Sequence, residues 1–170
     1  MNLPNKLTLL RVAMIPVCVL FLLLGWHLPA AIVFILAALT DLVDGYIARR
    51  DQLVTNFGKF ADPVADKILA LTVMIALLSR GMYPWWGVAI VAARELAVDG
   101  LRLVAVEQGQ VIAAGKLGKL KTNAQFFSII SAMLFLPWGI TLALVILMAL
   151  LTVISGIEYF YNARQLFEHS

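Results

Sequence analysis

Apolar residues fill long stretches of this chain and the charges are pushed to their edges: no Asp, Glu, Lys or Arg occurs in 12–40 or in 122–157. Each stretch is longer than the roughly 20 apolar residues that one membrane-crossing helix needs, so each predicts more than one crossing. Breakers and charges divide the chain into six predicted spans, 12–28, 30–48, 62–79, 84–104, 122–136 and 140–161, with turns at 27–29, 81–84 and 137–139. Leu3, Leu7 and Leu10 are spaced for one helical face, so 4–11 reads as a short amphipathic lead-in lying along the membrane surface. The pattern predicts an all-α integral membrane protein, six transmembrane helices with a short N-terminal amphipathic helix, built as a single domain over 1–170.

Composition strengthens that reading. Of 170 residues 62% are hydrophobic and 14% charged, against roughly half and a quarter in soluble domains, and the mean hydropathy is +0.94. Lys6 and Arg11 before an apolar run resemble a signal peptide, but the further apolar segments that follow make it an uncleaved first helix. The lone Cys18 lies among Val and Leu and predicts packing, since one cysteine forms no disulfide within a chain. With a cytoplasmic N-terminus, twelve of the 13 Lys and Arg residues fall on the cytoplasmic side and only Arg80 outside, as the positive-inside rule requires. Trp26, Tyr83, Trp85, Trp86 and Trp138 then form an outer aromatic belt. The predicted location is the cell (cytoplasmic) membrane, multi-pass, with both termini cytoplasmic. The net charge of +3 is explained by these loops and requires no nucleic acid.

Against this background stands an array of ionisable residues, Asp41-x-x-Asp44-Gly45-x-x-Ala48-Arg49, eight residues, then Gly58-x-x-x-Asp62-x-x-x-Asp66. Charges in apolar surroundings are costly unless paired, hydrated or bound to metal, so the array is a functional-site candidate. Asp41 and Asp44 are three apart and Asp62 and Asp66 four apart, so two helix ends offer two carboxylates each; Pro63 and Asp62 read as the first residue and the cap of the second of these helices. Four clustered carboxylates resist ionisation unless a positive charge sits among them. All-oxygen ligation favours a hard divalent cation, Mg²⁺ or Mn²⁺. Gly45 and Gly58 would let a phosphate or sugar approach backbone, and Arg49 offers a fork of donors to phosphate oxygens. Metal, glycine surface and arginine together suit phosphoryl transfer. The competing explanation is that the aspartates cap helices and pair with Arg49, Arg50, Lys59 and Lys67.

The array resembles the signature of the CDP-alcohol phosphatidyltransferase family, matching it at every position from Asp41 to Asp66. The resemblance implies a six-helix membrane fold, a homodimer, and two metal ions held by Asp41, Asp44, Asp62 and Asp66. Asp66 would also act as general base for an attacking alcohol. It further implies that Gly45, Ala48 and Arg49, with Thr55 on the connecting loop and Asn5 and Thr8 in the lead-in, hold the CDP-diacylglycerol donor. The start of the chain, the segment Ala93-Arg94-Glu95, Arg102, and Gly118-Lys119-Leu120-Lys121-Thr122 with Gln125 resemble the branch whose acceptor is sn-glycerol 3-phosphate. Such a dianion needs a basic pocket, and Arg94, Arg102, Lys119 and Lys121 are the cations available for it.

Other readings remain open at this point: the same chemistry with serine, inositol phosphate or phosphatidylglycerol as acceptor, a divalent-cation transporter, or a structural bundle. Glu95 and Asp99, four apart beside Arg94 and Arg102, are expected to orient those arginines. Glu107, Glu158 and Glu168 are expected to face solvent. His27 and His169 lie at opposite ends of the topology, and no Ser/His/Asp or Cys/His set supports a covalent intermediate.

Overall fold

The computed structural model describes residues 3–50, 56–107 and 115–164, with side chains described for 6–40, 63–107, 115 and 117–164. Among these residues the chain is all-helical, with six helices: α1 Leu3–Leu23, α2 His27–Arg50, α3 Asn56–Ser79, α4 Trp85–Glu107, α5 Lys116–Met133 and α6 Trp138–Asn162. Two of them, over Lys6–Leu23 and Trp138–Asn162, are long and apolar enough to cross a membrane. The chain divides into two compact units, residues 1–82 and 83–170.

Three helices end in the same way. At α1 the Trp26 amide donates to the Phe21 carbonyl and the Gly25 amide to Leu22, with Gly25 at a φ of 79°. The pairs Met82 to Leu77 and Gly81 to Leu78 repeat this at α3, and Leu136 to Ser131 and Phe135 to Ala132 at α5. This is the Schellman closure, in which a left-handed residue turns the last amides back onto orphan carbonyls. Gly25 therefore sets the first turn at 24–26, ahead of the predicted 27–29. Pro29 falls inside the first turn of α2, where a missing amide is tolerated. Arg80 donates to the Leu23 carbonyl at 3.5 Å, a cation at a helix C-terminus.

In the first unit α1 packs along both α2 and α3, through a core that includes Cys18, Leu22, Ala30, Phe34, Ala37, Leu69 and Val73. Small residues let helices approach closely, and the buried Cys18 thiol donates to the Ala30 carbonyl at 3.4 Å. The expected separate lead-in is corrected: 4–11 is the start of an unbroken α1. Pro4 is harmless in a first turn, and the inward face is the polar one, with Thr8 and Arg11 at 1% and 0% exposure beside Leu9 and Leu10 at 45% and 51%. The start of α3 is corrected too. It begins at Asn56 and runs through Pro63, at the expense of one backbone hydrogen bond, so Asp62 does not cap it.

In the second unit α6 packs against α4 and α5. A Cβ on Gly87 would come within 2.9 Å of Val145 Cγ1, so the glycine allows α4 and α6 to approach. Tyr83, expected in the aromatic belt, is instead buried, because Ser128 Oγ lies 2.6 Å from its hydroxyl. Burial pushes its phenol up to about 12, which keeps it a neutral hydrogen-bonding group. Thr152 and Ser155 return their hydroxyl protons to the Met148 and Thr152 carbonyls of their own helix, satisfying polar groups without water.

Candidate active site

The acidic motif rides on α2 and α3. Asp41, Asp44 and Ala48 occupy helix positions three and four apart at the end of α2, and Gly58, Asp62 and Asp66 recur every four residues along α3. Each set therefore shares one helical face by register. The side chains of Asn5, Asp41, Asp44, Gly45, Ala48, Arg49, Gly58 and Asp62, and all of Thr55, lie outside the described residues. Asp66 and Thr8 are described. The Asp66 side chain is 44% exposed, and its Oδ1 accepts from Arg11 Nη1 at 2.7 Å. The Arg11 Nε donates to Thr40 Oγ1 at 3.4 Å, and Thr40 directly precedes Asp41. Fully buried, Arg11 thus ties α1 to the acidic end of α2 and to Asp66 of α3. Charge counting alone puts it only on the cytoplasmic side.

By register α2 and α3 each carry two aspartates three or four positions apart, residue types that supply the hard oxygen ligands a divalent cation takes.

The second unit holds a cavity of about 230 Å³ lined by Arg94, Arg102, Gly115, Gly118, Lys119, Thr122, Ser155, Glu158, Tyr159 and Asn162. The cavity has room for a small polar molecule such as a polyol phosphate. Three of the four cations expected around the acceptor meet here. The fourth, Lys121, is buried and donates to Glu95 Oε1 at 2.6 Å. The same oxygen accepts from Arg94 Nη1 at 3.1 Å. Glu95 therefore bears on Arg94, the orienting role expected of it, and Lys121 stands behind it. Gly156 lets Arg94 pass close to α6, since a Cβ there would lie 3.4 Å from Arg94 Cγ.

Sequence reasoning missed the contribution of α6. Glu158, expected to face solvent, lines the cavity with Ser155, Tyr159 and Asn162. The legible signal was a polar stripe at helical spacing, 155, 158/159 and 162, in an otherwise apolar helix.

Comparison with known proteins agrees with the motif. The family model described as CDP-alcohol phosphatidyltransferase matches residues 1–155, which includes both the acidic array and most of the cavity. This chain belongs to that family, whose members are membrane-bound transferases dependent on divalent metal. A Bacillus subtilis protein named CDP-diacylglycerol--glycerol-3-phosphate 3-phosphatidyltransferase is 44% identical to it, over 94% of this chain and 93% of its own length. A Mycobacterium tuberculosis protein named probable phosphatidylglycerophosphate synthase is 43% identical over 95% and 81%. A Sodalis glossinidius protein with the same name as the Bacillus one is 38% identical over 99% of both chains.

Proposed function

We propose that this chain transfers the phosphatidyl group of CDP-diacylglycerol to sn-glycerol 3-phosphate, giving phosphatidylglycerophosphate and CMP. The relatives named for this reaction support the donor and acceptor. The observation that carries the acceptor is the cavity that gathers Arg94, Arg102 and Lys119, because phosphate monoesters call for converging cationic donors.

In this scheme Asp41, Asp44, Asp62 and Asp66 hold two Mg²⁺ or Mn²⁺ ions. When bound, these ions supply charge neutralisation at the donor pyrophosphate. Gly45, Ala48, Arg49, Thr55 and Gly58, with Asn5 and Thr8, bind the cytidine and pyrophosphate. Arg94, Arg102 and Lys119 hold the acceptor phosphate, with Lys121 acting through Glu95 on Arg94. Asp66, oriented by Arg11, takes the proton of the attacking hydroxyl. The new bond forms to the lipid-side phosphorus as the bond to CMP breaks.

The helices are 18 to 25 residues long. At about 1.5 Å per residue these lengths support six crossings of a hydrocarbon core about 30 Å thick. The family match across both compact units supports one domain over 1–170. We place the termini and the acidic array on the cytoplasmic side of the cell membrane, in a homodimer surrounded by membrane lipids.

The test is Arg102→Gln in the purified full-length protein. Its KM for sn-glycerol 3-phosphate rises by about tenfold or more, the magnitude of one charged hydrogen bond, while the KM for CDP-diacylglycerol stays the same. An unchanged acceptor KM would remove the cavity from the acceptor site.

A further inference from the structure

Three features of the cavity are not explained by phosphate binding. Tyr159 is 5% exposed; its ring packs among Val98, Leu101, Ala105 and Ala163, yet its buried hydroxyl has no hydrogen-bond partner among the described residues. The buried Nε of Arg94, a second cavity residue, likewise has no partner among the described residues. Such orphans are destabilising in a folded protein and call for an explanation. The third is Glu158, an acid among three cations that forms no ion pair with any of them among the described residues. Its carboxylate lies over Gly115, where a Cβ would come within 2.7 Å of Oε2. The glycine at the head of α5 leaves room for this acid.

A carboxylate only accepts hydrogen bonds, so Glu158 repels phosphate oxygens and requires a donor. Three cations against one acid leave the lining with a net charge of two, matched to a phosphate monoester carrying about −1.5 to −2. A ligand that satisfies all of these groups is ionic at one end and carries hydroxyls at the other.

We infer that Glu158 and Tyr159 are the specificity-determining residues for the acceptor, binding the hydroxyl-bearing end of a small polyol phosphate whose phosphate rests on Arg94, Arg102 and Lys119. This rests on the acceptor reading of the cavity proposed above and adds contacts to the acceptor's hydroxyl-bearing end besides the one proton that Asp66 takes. A site built to hydrogen-bond a hydroxyl discriminates strongly against an analogue that lacks it, because its own polar groups are then stranded.

The test uses the purified full-length protein with CDP-diacylglycerol and a divalent cation. It measures the KM of sn-glycerol 3-phosphate and the competitive Ki of n-propyl phosphate, which has the same chain and phosphate without the hydroxyls. The Glu158→Gln variant raises the KM about tenfold or more and leaves the Ki unchanged or lower, because a repelling charge has gone. Gly115→Ala moves the KM in the same direction by displacing the flexible carboxylate without altering its charge, and serves if Glu158→Gln fails to fold. Tyr159→Phe raises the KM severalfold while raising thermal stability, since it deletes an unpartnered buried hydroxyl; a purely structural tyrosine would not combine these effects. The inference is overturned if KM in Glu158→Gln stays within twofold of wild type, or if KM and Ki rise by the same factor. Failure of the underlying acceptor reading looks different: n-propyl phosphate does not compete in the wild type and Arg102→Gln leaves KM unchanged, and the inference then falls with it.

Discussion

At the scale of single residues, charge is used in two ways here. Arg11 and Lys121 are buried and paired, to Asp66 and Glu95, whereas Arg102 and Lys119 line an open cavity. A one-dimensional count of Lys and Arg cannot separate these uses, because it records a side of the membrane and not a partner in space. The carboxylate array was legible from spacing alone, since few structural needs repeat Asp at three and four residues across two helix ends. Lys121 is one of the cations the aspartate array leaves unclaimed; its ion pair with Glu95 sets it behind Arg94. Lys121→Met therefore destabilises the protein by about 2 kcal/mol, as expected when a buried carboxylate keeps Arg94 but loses one charged hydrogen bond. Thermal unfolding in detergent measures this. A lysine that contacted acceptor directly would instead shift KM with stability unchanged.

At the scale of elements, hydropathy located all six helices but misplaced some of their ends. Gly25 and Gly81 decide where α1 and α3 stop through a left-handed backbone, with φ of 79° and 70°, while Pro29 and Pro63, which look like boundaries, lie inside α2 and α3. Proline marks a boundary only statistically, and packing of the surrounding helix overrides it. The Tyr83 and Glu158 placements were unreadable for a related reason: each depends on a neighbour far away in sequence, Ser128 and Gly115. Gly81 gives a clean test of the turn chemistry, because a Cβ there meets nothing within 4 Å. Gly81→Ala thus lowers stability by about 1 kcal/mol through backbone strain alone, read as a fall in unfolding temperature with unaltered activity at low temperature.

At the scale of the whole molecule, polar groups are buried beside the apolar core while many large apolar side chains are exposed. Arg11, Glu95, Lys121, Ser128 and Thr152 are buried while Leu96, Leu103 and Ile157 are 65% to 73% exposed, an arrangement suited to lipid and costly in water. The orientation proposed from charge predicts opposite accessibility for two exposed positions. In intact cells Arg80→Cys reacts with a membrane-impermeant maleimide, and Arg164→Cys reacts only after permeabilisation; the native Cys18, buried in α1, stays silent. Membrane residence and the phosphatidyl-transfer motif were legible because both are written in local spacing. The acceptor was less so, because the cavity proposed for it is assembled from α4, α5 and α6. That choice of acceptor is the central claim, and CMP release by the purified protein tests it most directly. Given CDP-diacylglycerol and a divalent cation, the protein releases CMP at least about tenfold faster with sn-glycerol 3-phosphate than with serine, inositol phosphate or phosphatidylglycerol, in line with recognition of a specific polar group. Equal or faster release with any of those three alcohols would contradict it.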